Sequence, residues 1–378
     1  MSGFKTNGVL CFISSNKWMR AKYGEKLRKF FKEKITLKQI IDFNGYKVFE
    51  ATVDTNILLF QKARAADNTI NILNIKSDFT TDTDIVNYFQ DHNLQMRQST
   101  LDVKCFTFAD DSVMKLKAKI EKIGTPLKDW DVKIYRGILT GFNEAFIITT
   151  EKRNEILANC KTEEERIRTE AIIKPILRGR DIKRYYYKWA GLWVIATFPS
   201  LRLDIERYPA VKDYLKTFGK RLEQSGKPGC RKKTDNKWFE TQDNIAYYSE
   251  FEKEKIVYQE MTNEGSFTWD RKKLYVNQTC YIMTNVNKYI CALLNSKIIH
   301  FYFSQISYAL GTGAFRWIKQ FVEQLPIPQI SDDKQQPFIS PVNKILAITK
   351  YDDYPKNPSK QAEVKEYERQ IDQMVYKL

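Results

Sequence analysis

The chain has 378 residues, 43% of them hydrophobic and 13% aromatic, six cysteines, two histidines and a formal net charge of +16. That length and apolar content give room for two or three domains with packed cores and exclude a disordered tail. No run approaches the roughly 18 to 20 consecutive apolar residues of a membrane span and the start lacks a secretory pattern, so a cytoplasmic protein without membrane association is expected.

Residues 8–14 (Gly-Val-Leu-Cys-Phe-Ile-Ser) are almost wholly apolar, the pattern of a strand buried on both faces of a parallel sheet. A helix follows, capped by Ser15 or Asn16. Met19, Tyr23, Leu27, Phe30 and Phe31 recur at helical spacing there, while Arg20, Lys22, Lys26, Lys29 and Lys32 face outward. Strands are predicted over 37–43 and 53–60, with a turn at Asn44-Gly45 between them, and over 69–76. Helices are predicted over 82–91 and 112–123, the second ending at Gly124 and leading through Pro126 into a new domain. From there strand-like runs at 192–197, 255–260 and 274–284 alternate with helical stretches at 152–169, 208–225 and 286–304. Leu325-Pro326-Ile327-Pro328 closes the module. Beyond it, 341–349 and 360–378 read as polar helices. Val364, Tyr367, Ile371 and Val375 form a narrow stripe on the second, which stops abruptly at Leu378 and hints at truncation.

The charge is uneven. Residues 1–66 hold 13 Lys/Arg against 5 Asp/Glu and residues 174–237 hold 17 against 6, which leaves the remainder slightly acidic. Localised basic faces point to a polyanion, with nucleic acid ahead of a membrane surface because no basic amphipathic helix with a clean apolar face stands out. Six scattered cysteines without C-x-x-C spacing, beside only His92 and His300, predict reduced thiols and no structural metal.

In residues 134–148, Ile134, Ile138, Phe146 and Ile148 have strand propensity, while Gly137 and Gly141 allow turns or close backbone approach. Arg136, Thr140 and Asn143 then sit at a kinked strand edge able to hold phosphate; a hairpin packed for stability alone is the alternative. Residues 176–185 set Arg178, Arg180, Lys183 and Arg184 around Gly179 and ahead of three tyrosines. This combines phosphate-binding charge with aromatic surface, unless Asp181 clamps one arginine into the scaffold. The basic loop 226–233 offers Arg231, Lys232 and Lys233 to position a DNA backbone, and the two glycines of 311–316 would let amides approach phosphate. Glu252-Lys253-Glu254-Lys255 contains the Glu-x-Lys of a nuclease but no Pro-Asp precedes it, and nothing supports a hydrolase triad.

Residues 134–148 resemble the opening of the target-recognition domain in TaqI-like N6-adenine DNA methyltransferases and the fused type IIG restriction-modification enzymes. Residues 176–185 resemble a second recurring segment of that domain, and 255–260 and 289–297 are also similar, as scaffold. The order strand, helix, strand, loop, strand over residues 8–60 resembles the second half of the family's catalytic domain. The resemblance implies an α+β chain: a partial Rossmann-like methyltransferase sheet (1–110), a linker helix (111–126), a mixed α/β target-recognition domain (127–330) and a helical tail (331–378).

In that family an aromatic residue before the last strand stacks on the adenine rotated out of the duplex. Val48-Phe49 with Thr52-Val53-Asp54-Thr55 is similar to that motif, the alternative being that Phe49 plugs the core. The glycine-rich loop that holds S-adenosylmethionine and the Asn-Pro-Pro-Tyr catalytic loop lie upstream in such enzymes, and neither occurs in this sequence. No catalytic or cofactor-binding residue is therefore expected here. The resemblance implies double-stranded DNA recognition by the C-terminal part of an N6-adenine methyltransferase that is inactive alone. Its implied partner is the missing N-terminal catalytic half or a separate catalytic subunit, with S-adenosylmethionine as the complete enzyme's cofactor. A non-enzymatic DNA specificity module docking with a separate catalytic subunit is the second reading, and an RNA-binding protein the third.

Overall fold

A computed structural model describes residues 5–50, 53–63, 68–307 and 314–378. The β-branched runs of the first hundred residues build one mixed sheet. In chain order its unit comprises β1 (Val9–Ser15), α1 (Glu25–Lys34), β2 (Thr36–Asp42), β3 (Thr55–Gln61), β4 (Thr69–Asn74), α2 (Ile85–His92), β5 (Leu94–Arg97) and α3 (Asp111–Ile123). The strands lie in the order β1-β3-β2-β4-β5. β2 and β4 are parallel and the other neighbours antiparallel. Leu37, Ile40, Leu58, Phe60, Ile70 and Ile72 from the strands pack with Phe31 of α1, Trp18, Met19 and Phe106. Asn44 and Gly45 both have positive φ, as the predicted turn requires. Asp84 and Asp110 cap α2 and α3 by accepting from amides of the first turn.

Two expectations for this unit are corrected. The first strand is not buried on both faces of a parallel sheet: β1 is an antiparallel edge strand, and Val9, Phe12 and Ile13 are 57%, 39% and 41% exposed. Among the described residues no strand pairs with its outer edge. The first helix starts only at Glu25 and buries Arg28 and Phe31, leaving Tyr23 and Leu27 exposed. The reason is polar: the Arg28 guanidinium donates to the carbonyls of Trp18 (2.5 Å), Ala21 (2.8 Å), Val103 (2.6 Å) and Lys104 (2.8 Å), so a saturated arginine, absent from the apolar spacing, takes the buried face.

The second unit opens with β6 (Thr125–Pro126), β7 (Lys133–Arg136), α4 (Asn143–Phe146), β8 (Ile147–Thr149), α5 (Thr150–Ala158), α6 (Glu163–Ile172) and β9 (Ile173–Leu177). It continues through β10 (Ile182–Lys183), β11 (Tyr186–Tyr187), β12 (Leu192–Ile195), α7 (Pro209–Lys216), β13 (Lys255–Gln259), β14 (Met261–Thr262), β15 (Phe267–Asp270), β16 (Tyr275–Val276) and β17 (Cys280–Thr284). The remaining elements are α8 (Lys288–Leu294), α9 (Lys297–Ile306), β18 (Phe315–Arg316), α10 (Lys319–Val322), β19 (Pro326–Ile327), α11 (Asp332–Thr349) and α12 (Pro358–Lys377). Two four-stranded sheets dominate, ordered β16-β9-β12-β8 and β15-β13-β17-β7.

Single helices expected at 152–169 and 286–304 are each split, because Thr162 and Ser296 act as caps that start a new helix. The run 274–284 is two strands, parted by Asn277-Gln278-Thr279. The tail shares the core of the second unit: Phe338, Val342, Ile345, Val364 and Ile371 join Ile256, Tyr258, Tyr289 and Phe303 in one apolar cluster. That packing carries α11 through Pro337 and Pro341, where local rules place a break. The stripe on α12 faces this cluster, with Tyr367 and Val375 at its margin.

Inside the second unit Lys255 and Asp270 form an ion pair at 2.6 Å with both side chains fully buried. Lys255 also donates to the Phe251 carbonyl, and Asp270 accepts from the amides of Lys272 and Leu274. Removing one member leaves a buried charge without compensation. We expect Asp270→Ala to lower stability by about 3–5 kcal/mol, measured by urea unfolding; an unchanged midpoint would show that the pair is not held as described.

Candidate nucleic-acid interface

The site is organised by the short link between β16 and β17. Ile138 donates its amide to the Val276 carbonyl (2.8 Å), Gly137 to Cys280 (2.8 Å), Gln278 to Ile138 (2.9 Å) and Asn277 to Leu177 (2.9 Å). The Gly179 amide donates to the Thr279 hydroxyl (2.9 Å) and the Glu260 amide to the Thr279 carbonyl (2.8 Å). Segments 134–148 and 176–185, singled out separately in the sequence, are thus stitched to one link. A side chain on Gly137 would place its Cβ 2.0 Å from the Asn277 carbonyl oxygen, so only glycine permits the approach.

The basic loop 226–233 folds onto the same place through Arg231. This residue is 4% exposed, and its guanidinium donates to the carbonyls of Leu222, Thr140, Glu240 and Trp238 at 2.6–3.1 Å. Burial pushes its pKa down to about 10. The amides of Gln242 and Asp243 bond to the carbonyls of Thr140 and Leu139, both at 3.1 Å. Gly141 has a φ of +77°, and a Cβ there would meet the Gln242 side chain at 2.8–2.9 Å. An open cleft of about 400 Å³ results, lined by Leu139, Gly141, Phe142, Asn143, Gln242 and Gln278 together with Glu144.

The predicted DNA-binding residues divide into three groups. Arg136 is half-exposed beside the cleft, its Nε donating to the Gln278 carbonyl (3.2 Å) and its guanidinium 3.6 Å from Glu260. Asn143, Arg180, Lys183, Lys232 and Lys233 are also exposed. Among the described residues no carboxylate lies within ion-pairing distance of Arg180, Lys183, Lys232 or Lys233. Arg178 and Arg184 are clamped instead: Arg178 makes a two-pronged pair with Asp181 (3.0 and 2.8 Å), and Arg184 pairs with Glu368 (2.8 Å) and donates to the Asn295 carbonyl. Arg184 thereby fastens the tail helix α12 to the second unit.

Thr140 and Arg231 are corrected to scaffold. Thr140 is wholly buried, donating to Asn143 Oδ1 (2.7 Å) and accepting from the Phe142 amide (3.1 Å). Arg231 is spent on five hydrogen bonds to main-chain carbonyls. The glycine pair at 311 and 313 lies outside the described residues. Phe49 is 49% exposed in the loop between β2 and β3, which removes the core-plug alternative. Its neighbours Tyr46 and Val48 anchor the loop against Phe43, Ile57 and Phe79; Thr52 lies outside the described residues. Sequence reasoning passed over Gln242 and Gln278, although the polar triplet 277–279 inside an apolar run was a visible signal.

Residues 174–327 match the TaqI-like C-terminal specificity domain, and residues 3–49 match the Eco57I restriction-modification methylase. The chain is restriction-modification methyltransferase-like. It is similar to the type II methyltransferase M.PaeR7I of Pseudomonas aeruginosa, 22% identical over 346 residues that cover 88% of this chain and 57% of that protein. It is also similar to M.BstVI of Geobacillus stearothermophilus, 22% identical over 344 residues, 85% of this chain and 58% of the relative. The chain thus spans a little over half the length of these relatives. Its fold is similar to that of the type IIL restriction-modification enzyme MmeI, solved in complex with DNA, with a TM-score of 0.57 at 13% identity over 97% of this chain and 46% of that one. The specificity-domain match begins at residue 174, so segment 134–148 joins the matched residues through the β16–β17 link and not through the match itself.

Exposed and buried cations of one loop should part in experiment. We expect Arg231→Ala to cost at least about 3 kcal/mol, since it strips donors from several buried carbonyls, and Lys232→Ala to stay within about 0.5 kcal/mol of the parent. Thermal or urea unfolding of the two variants checks this; equal losses would contradict the assignment.

Proposed function

We propose that the chain recognises a specific double-stranded DNA sequence as the C-terminal part of an N6-adenine DNA methyltransferase of a restriction-modification system. The observation that carries the reading is the cleft at the β16–β17 link, where Gln242 and Gln278 of the residues that match a TaqI-like specificity domain meet Asn143, with Arg136 bonded to the Gln278 carbonyl. Arg136, Arg180, Lys183, Lys232 and Lys233 neutralise phosphates and fix register, while groups at the cleft meet base edges. A cytoplasmic location accords with DNA as the partner.

Methyl transfer belongs in this reading to residues outside the chain. Within it, β1 runs directly into Asn16 and the buried pair Trp18 and Met19, without the glycine-rich turn that would admit the S-adenosylmethionine of the complete enzyme. What this chain adds is Phe49, whose exposed ring stacks on an adenine turned out of the duplex and recovers part of the unstacking cost. The sheet itself supports a missing neighbour. A seven-residue strand, uncharged and apolar on both faces, is unsuited to a solvent-exposed edge, and we assign that edge to a strand of the catalytic half, which completes a Rossmann-like sheet. The same edge serves the second reading, a non-enzymatic specificity module that docks with a separate catalytic subunit; the mass of the natural product distinguishes the two.

Binding to duplex DNA, single-stranded DNA and RNA in competition, over a range of salt concentrations, tests recognition. Duplex should win, and alanine at each of Arg180, Lys183 and Lys232 should lower the salt slope by about one for each phosphate no longer neutralised. Preference for single strands, or slopes that do not move, would contradict the reading. In the assembled enzyme, Ile13→Lys should abolish association with the catalytic part while leaving the chain's own stability within about 0.5 kcal/mol. A 2-aminopurine at the target position should brighten there. Unimpaired association would refute the edge assignment, and a dark probe would refute the role of Phe49.

A further inference from the structure

We propose that Gln242 and Gln278 are base-reading residues that select an A·T pair in the major groove; this rests on the DNA-recognition reading above and deepens it. Three amide side chains, those of Asn143, Gln242 and Gln278, line the one cleft. An amide side chain can also donate to a phosphate oxygen, but unlike a cation or a backbone amide it offers a donor and an acceptor side by side. That pair complements the N7 acceptor and the N6 amino group of adenine.

The state of each amide fits this use. Asn143 Oδ1 is taken by the Thr140 hydroxyl (2.7 Å), which leaves the nitrogen end of its amide for a ligand. The Gln242 main chain is fixed by the Thr140 carbonyl (3.1 Å), and among the described residues its side chain has no hydrogen-bond partner. The Gln278 main chain is fixed on both sides, its amide donating to Ile138 (2.9 Å) and its carbonyl accepting from Arg136 Nε (3.2 Å). Yet its Oε1 is buried without any hydrogen-bond partner among the described residues, a state that costs free energy until an amino group meets it.

The carboxylates nearby do not serve the same purpose. Glu144 lines the cleft but is paired with Arg221 (3.3 Å). Asp243 is partly buried and faces the opposing charges of Arg136 and Lys232. Rigid main-chain anchorage, with the Gln242 and Gln278 amide groups not committed to a protein partner among the described residues, is what discrimination needs, because an amide on a mobile main chain serves any base.

Selection of bound sequences from a random duplex pool, with the full chain, tests the proposal. The parent should recover a motif with an A·T position. At that position Gln242→Ala and Gln278→Ala should each cut discrimination roughly 5- to 150-fold while affinity for unrelated duplex and the salt slope stay unchanged. Gln242→Glu, which keeps the shape and replaces the donor by a second acceptor, should move the preference at that position from A towards C. Circular dichroism and unfolding midpoints confirm that each variant folds, and Gln242→Glu carries the test should an alanine variant not. Variants that recover the parental motif with parental discrimination, or that alter only a G·C position, overturn the proposal and leave DNA recognition standing. A parental pool without any shared motif overturns both.

Discussion

Everything at the candidate site depends on the hydrogen bonds of the short link between β16 and β17. Its backbone and the Thr279 hydroxyl bond with three separate segments, around residues 137–138, 177–179 and 260. Each bond is worth only about 1 kcal/mol net. Their joint effect is geometric: two sheets are tied edge to edge, and the ends of β7 and β9 meet where neither would by its own hydrophobic pattern. Gly137 makes the approach sterically possible, and Arg231 closes the third side by saturating carbonyls from residues 140, 222, 238 and 240.

This construction separates two uses of positive charge. Arg28 and Arg231 are internal, replacing secondary structure as the hydrogen-bond partner of irregular backbone. Arg178 and Arg184 lock loops and the tail through carboxylates. The exposed remainder, with Arg136 at the cleft and Lys232 and Lys233 on the adjoining loop, is what the proposed reading offers to a polyanion. A net charge of +16 therefore overstates the surface available to DNA, while the local arrangement gives it a direction. The apolar edge β1 lies at the other end of the chain, in the first sheet, and has no part in this division of charge.

Much of this was legible in the residues. The Asn44-Gly45 turn, four of the five strands of the first sheet and the presence of α2 and α3 follow from propensity and periodicity, while β5 (Leu94–Arg97) carried no such signal. The segments 134–148, 176–185 and 226–233, which the fold brings together, could be singled out from charge and glycine spacing. What could not be read was aim. Arg231 and Lys232 are neighbours with the same local signal, and only the long-range fold decides that one is buried and the other exposed. Thr140 carries the polar character of a ligand but is used to cap a turn, and α11 runs through two prolines because α12 and α8 pack against it. Gln242 and Gln278, 36 positions apart, become one site through hydrogen bonds that no sequence period encodes.

Hydrogen–deuterium exchange of the full chain, with and without a duplex that it binds, tests the central claim most directly, because it reports where the nucleic acid lies without altering a residue. Slowed exchange in peptides covering 139–144, 179–183, 231–243 and 277–279, with the exposed face of α12 unaffected, is the result expected. Protection confined to surfaces away from the β16–β17 link would contradict the account.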